Sequence, residues 1–170
     1  MAHTIEKEWV TKAGLKAVCL FNRNSHRCGY VAVEPDHILW GKDYRETIPA
    51  KLKATWDRIK EMPRGKRNVV DIVCLDVENP RVSILFDVHG GINYADGGSD
   101  YPVASAESLW WFGFDCMHYG DGVVNDIFGD GYPVRTTEYV VEECEKLAEQ
   151  LSEIQKEVCD EKNNLPSMPE

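Results

Sequence analysis

Asp115, Cys116, His118 and Asp121 crowd directly behind the most hydrophobic run of the chain, LWWFGF at 109–114. Two other stretches share that character, SHRCGYV at 25–31 and VHGGINY at 88–94. All three stretches join an apolar, strand-like run to glycine and carry a histidine, and two of them add a cysteine. Loops held at the ends of strands are where binding and catalytic groups concentrate, and a core would reject so many polar groups. The three loops are therefore expected to converge at one side of a sheet and form a small-ligand site.

Several chemistries fit these residues. His26 with Cys28, and Cys116 with His118, are i, i+2 pairs that share a face in extended backbone. Together they offer two thiolates and two imidazoles to zinc, although the spacing departs from that of structural zinc sites. His89, Asp115, His118 and Asp121 form a second set, able to hold a divalent metal that activates water, or to act as acid and base on a phosphoester or amide. The plainer alternative is that Asp115 caps the next turn, His118 bonds a backbone carbonyl, and no metal binds. For phosphate, His89-Gly90-Gly91 can expose backbone N–H groups in a nest, with Arg27 and Arg135 as guanidinium clamps. Tyr94 and one of Trp110 or Trp111 can stack on a planar base. The expected ligand contacts are thus His26, Arg27, His89, Gly90, Gly91, Tyr94, Trp111, His118 and Arg135. No GxxxxGK[ST], GxGxxG, GxSxG or HExxH motif occurs, so P-loop, Rossmann, serine-hydrolase and zincin sites have no sequence support.

The elements that must position these groups read as follows. LKAVCLF (15–21) and GYVAVE (29–34) are β-prone runs around a polar turn. AKLKATWDRIKEM (50–62) spaces Leu52, Trp56 and Ile59 as an amphipathic helix stopped by Pro63. VVDIVCLDV (69–77) and VSILFDV (82–88), joined by Asn79-Pro80, predict a hairpin in the middle of a sheet. LWWFGF is the next strand; its Gly113 predicts a bulge or a close backbone approach. From Thr136 or Thr137 as N-cap, Val140, Cys144, Leu147, Leu151, Ile154 and Val158 trace one stripe of a long helix. That stripe outruns an ordinary strand, so Ile154 and Val158 are expected to need a second copy of the chain, a homodimer seam. The Gly/Asp-rich loops 94–102 and 119–133 read as packed loops or as a lid over the site. The expectation is an α+β fold: a mainly antiparallel sheet, a long C-terminal helix packed on one face, and a short amphipathic helix near 50–62. It forms one domain over 1–160, with a disordered tail at 161–170.

Composition narrows the partners. The 170 residues carry a formal net charge of −10, which disfavours phosphate backbones and anionic membranes. No apolar run reaches the ~18 residues of a spanning helix. Six cysteines occur, but Cys19, Cys74 and Cys144 sit at apolar positions, as expected for small buried hydrophobes of a reducing cytoplasm.

HRCGYV, HGGINY and LWWFGFDCMHYGD, with the opening W-x-T-x-A-G-L, together resemble a group of small proteins encoded by tailed phages and prophages. The resemblance runs from about Trp9 to Leu151. It implies a phage origin and a setting in the bacterial host cytoplasm, and it brings no catalytic residues with it. The expected function is an accessory protein that binds a phosphorylated, nucleotide-like small molecule and sequesters a host immune signal. A metal-dependent phosphodiesterase or related hydrolase using the same pocket, and an acidic protein-binding inhibitor of a host enzyme, are the alternatives. Whether a reaction is catalysed, and with which cofactor, stays open at this stage.

Overall fold

Five strands and two helices organise the residues that this computed structural model describes, which are 3–22, 25–61, 78–98, 100–105, 107–124 and 131–163. The strands are β1 His3–Val10, β2 Lys16–Asn22, β3 Arg27–Val33, β4 Tyr94–Asp96 and β5 Trp110–Asp115; the helices are α1 Lys53–Lys60 and α2 Thr137–Asn163. The sheet order is β1-β2-β3-β5-β4, with every pairing antiparallel. The fold is α+β, with α2 along one face of the sheet.

Alternation along the central strands produces two cores. Ala17, Cys19, Val31, Val33, Phe112 and Phe114 face α2, while Val18, Leu20, Cys28, Tyr30, Ala32 and Trp111 face the other way beneath Leu109, Tyr101 and Val103. β3 and β5 cross at a reciprocal pair. Tyr30 lies opposite Gly113 and Phe114 opposite Gly29, and a Cβ on either glycine would run into the partner's ring at about 2.5 Å. Gly113 is therefore a close approach of a ring to the backbone, one of the two expectations for it.

Thr136 caps α2, its Oγ1 accepting the Tyr139 N–H at 3.2 Å. The stripe Val140, Cys144, Leu147, Leu151, Ile154 and Val158 is at most 5% exposed throughout, and each buried aliphatic contributes about 1.5–3 kcal/mol. This overturns the reason given for a second copy of the chain. The far end of the stripe is covered by its own chain: the Ile38 N–H bonds Gln155 at 2.9 Å, Thr55 bonds Glu157 at 2.7 Å, and Leu52 and Trp56 join the same core. His37 is part of this cover, with one ring nitrogen on the Leu151 carbonyl at 3.0 Å and the other accepting the Leu39 N–H at 3.1 Å. The helix continues to Asn163, into the stretch expected to be tail; 164–170 lies outside the described residues.

The expected central hairpin is not found. Residues 69–77 lie outside the described residues, and 82–88 is no strand of the sheet: Val82–Leu85 is a 3-10 turn followed by extended chain. Its backbone bonds go to the 44–48 segment, with Val82 N–H on Glu46 O at 2.8 Å and Ser83 N–H on Tyr44 O at 2.9 Å. The run is apolar on every side because α1, α2 and the sheet surround it, and such a run carries no period to distinguish strand from turn. The expected helix at 50–62 is a 3-10 turn at 50–52 leading into α1.

Candidate functional site

The three loops do meet. Past β5, the Cys116 N–H bonds the Arg27 carbonyl at 2.9 Å, and the Val124 N–H bonds the Ser25 carbonyl at 2.9 Å, tying the third loop to the first. The second loop joins through His89, whose Nε2 lies 2.7 Å from Asp121 Oδ2 and whose ring centre is 5.6 Å from that of His118.

Local turns place these groups. His118–Asp121 is a four-residue turn closed by the Asp121 N–H on the His118 carbonyl at 2.9 Å, with Gly120 at φ +91° in the third position. A type II turn demands glycine there. Asp121 folds back so that its carboxylate accepts three donors: the His118 N–H at 2.9 Å, His89 Nε2 at 2.7 Å and Arg135 Nε at 2.7 Å. Its side chain is 1% exposed. Burial alone would push this carboxyl up; the three donors overcome that and hold it below its ordinary value. Arg135 also lies 4.9 Å over the Tyr139 ring.

His89 is fully engaged. With Nε2 on a carboxylate, Nδ1 faces the Tyr139 hydroxyl at 2.9 Å, and its backbone N–H bonds the buried Glu143 carboxylate at 2.8 Å. Glu143 in turn holds Lys146 at 2.7 Å. Tyr139 and Glu143 were missed from the sequence. The signal was there, since Glu143 lies three residues after Val140 and four before Leu147, inside the apolar stripe, where a carboxylate needs a partner.

His118 is placed differently. Its ring packs over Gly90, where a Cβ would come within 1.8 Å of Nε2, and Gly90 has φ +65°. Nε2 is buried without a hydrogen bond, 3.5 Å from Asp115 Oδ1 but misaligned with it. Nδ1 makes no hydrogen bond to a described residue. Asp115 is held by Asn93 Nδ2 at 2.7 Å and accepts the Met117 N–H at 3.1 Å, so it does cap the following turn. His26 bonds Ser25 Oγ at 2.7 Å and contacts Asn22 at 3.4 Å, and burial pulls its pKa down against the pull of Asp115 and Asp121.

Other expected contacts have different roles. The Arg27 guanidinium grips both oxygens of Glu6, at 2.6 and 2.9 Å, and donates to the Arg135 carbonyl at 2.7 Å. It is a tie between β1, β3 and the start of α2 rather than an open clamp. Trp111 is 1% exposed within the second core and cannot stack on a ligand. Tyr94 belongs to that face as well, packed edge-on against Tyr30 and Tyr101 at 5.3 and 5.5 Å. Gly91, at φ +83°, closes a turn with its N–H on the Val88 carbonyl at 3.0 Å, so this amide is not free for a nest. The loop after Asp121 is tied at its neck, the Gly122 N–H bonding the Pro133 carbonyl at 3.0 Å; residues 125–130 lie outside the described residues.

The expected metal sets do not assemble. Cys28 Sγ accepts from Asn22 at 3.2 Å, and burial raises the Cys28 thiol to about 12 and the Cys116 thiol higher still. In the second set, Asp121 and His89 are saturated by each other and by Arg135 and Tyr139. Among the described residues no group of three or more His, Cys, Asp or Glu side chains could hold a metal ion. Nor is any described helix long and apolar enough to cross a membrane. What the cluster leaves for chemistry is one imidazole edge, His118 Nδ1, and the terminal nitrogens of Arg135, which make no hydrogen bond to described residues. No family model, curated protein or solved structure matches this chain, so its site must be interpreted from its own geometry.

Proposed function

We propose that the loop cluster binds a small phosphorylated, nucleotide-like molecule, and that the chain is a phage accessory protein holding such a molecule in the host cytoplasm. One observation carries this reading: at the meeting of the three loops, His118 Nδ1 and the terminal nitrogens of Arg135 make no hydrogen bond to described residues. A guanidinium and an imidazole-bearing turn held on opposite oxygens of Asp121 suit a phosphate group, and the neighbouring Tyr119–Tyr132 pair, with ring centres 5.8 Å apart and Tyr119 97% exposed, offers a face to a planar base. Sequestration of a nucleotide immune signal is the role that the phage resemblance adds.

The test is an amide NMR titration with adenosine monophosphate and with inorganic phosphate. Saturable shifts at 115–122 and 135 are expected, with His118→Ala weakening binding about tenfold, the scale of a charge-assisted hydrogen bond. The absence of saturable shifts with either probe, or unchanged affinity in His118→Ala, refutes the reading. A hydrolase is the second reading, favoured by the unbonded His118 Nδ1 at the site, which a general base needs. Nucleotide recovered in altered form would decide for it.

A further inference from the structure

A second site lies along the same face of α2, toward its C-terminal end, sharing no lining residue with the loop cluster. It is a cavity of about 300 Å³ with an apolar floor of Ile59, Leu85 and Ile154 and a polar rim that includes Asp87, Lys146 and Glu149. We infer that this cavity binds a small organic ammonium ion with a short alkyl chain, anchored on Asp87.

Asp87 is the unusual group. Its Oδ1 is buried and without a hydrogen bond, and neither oxygen has a partner among the described residues. Its backbone is clamped to α2. Gln150 accepts the Asp87 N–H at 2.7 Å and donates to the Asp87 carbonyl at 3.3 Å, while the same amide also bonds the Lys146 carbonyl. The clamp holds the Asp87 backbone against α2, with Oδ1 buried and the residue lining the cavity. Buried polar groups without partners are few, and each calls for an explanation.

The cations on the rim do not supply the partner. Lys146 Nζ is on Glu143 at 2.7 Å, and Arg58 is on Glu157. With these two neutralised by acids outside the lining, Asp87, Glu149 and Glu153 leave the cavity net negative. Net negative charge above an aliphatic floor selects a cationic head on an apolar tail. A carboxylate or phosphate would be repelled, and a neutral alcohol would leave the Asp87 charge uncompensated. The volume, at the lower end of ligand pockets, suits a molecule of metabolite size.

The experiment titrates the full chain with n-butylammonium chloride and, separately, with n-butanol, following amide NMR shifts. Saturable shifts at Asp87, Gln150 and Ile154 are expected for the ammonium, with the alcohol at least about tenfold weaker. Asp87→Asn, which keeps the shape and the Gln150 clamp, should weaken the ammonium about tenfold. His118→Ala should leave it unchanged, so failure here and failure of the phosphate site are separate results. No saturable binding of the ammonium, equal binding of the alcohol, or unchanged affinity in Asp87→Asn would overturn the inference.

Discussion

Replacing Asp121 by alanine removes the acceptor at the centre of the loop cluster and leaves three donors facing each other. His89 Nε2 lies in a nearly closed environment, its side chain 10% exposed, and cannot be rehydrated without opening the loops. The Arg135 side chain is 31% exposed and can reach water. Counting a full orphaning penalty for His89, a partial one for the His118 N–H and little for Arg135, at about 1–3 kcal/mol for each buried donor, the loss is about 3–5 kcal/mol. For a domain of this length that corresponds to a fall in Tm of roughly 6–20 °C. Asp121→Asn keeps one acceptor oxygen but turns an NH2 toward the remaining donors, and should fall between. Urea unfolding followed by circular dichroism measures both. The same carboxylate sets a pH signature. Because its pKa is depressed in the folded chain, its stabilisation is complete above the ordinary carboxylate value of about 4 and is lost as pH falls through the depressed one. The native chain should therefore lose stability steeply below about pH 4, and Asp121→Ala should show a shallower slope there. A variant within ~1 kcal/mol of the native chain, or one with the same acid slope, would refute the central role given to Asp121.

Gly90→Ala places a methyl 1.8 Å from His118 Nε2 at a backbone φ of +65°. A strain of about 1–2 kcal/mol plus expulsion of the imidazole should lower the urea midpoint and abolish the phosphate-induced shifts at 115–122, whereas Gly14→Ala, at φ +86° with open space around it, should show only the strain. A chain ending at Gln150 loses Leu151, Ile154 and Val158 from the core. At about 2–5 kcal/mol for each large aliphatic, it should show no cooperative unfolding transition by circular dichroism; a shortened chain that stays folded and merely changes its mass in light scattering would restore the dimer seam.

The parts of the fold that could be read from the sequence are those with a strong local signal. β2, β3 and β5 are short β-prone apolar runs bounded by turn residues, the α2 stripe repeats at helical spacing, and each sits where expected. β1 was not foreseen because HTIEKEWV is an edge strand exposed on both faces, so no alternation marks it. β4 is three residues long inside a Gly/Asp-rich loop and gives no pattern. The 82–88 run failed because it looks like those strands: Val82, Ile84, Leu85, Phe86 and Val88 are all buried, and a short apolar run reads alike as a strand or as a buried turn.

The site followed the same logic one level up. Polar groups at strand ends showed that loops 25–31, 88–94 and 115–121 belong together, and they do. Which of those groups stay open depends on what faces them, and that was set by the elements the sequence concealed. Arg27 looked like a clamp only while β1 was missing; once β1, on the far side of β2, brings Glu6 within reach across that strand, both oxygens of its carboxylate close on the guanidinium. His89 looked like a ligand only while its ring was unpaired; Asp121 takes Nε2, and Tyr139 of α2 faces Nδ1. Gly90-Gly91 looked like an anion nest, whereas Gly90 provides the space into which the His118 ring fits. Each of these groups meets a partner far away in sequence, which no local pattern reports. Removing them one by one moves the candidate chemistry outward, from the buried Asp121–His89–Tyr139 chain to its rim. The buried chain fixes the loops, and the rim, where His118 and Arg135 keep donors in reserve, is where a ligand has something left to bind.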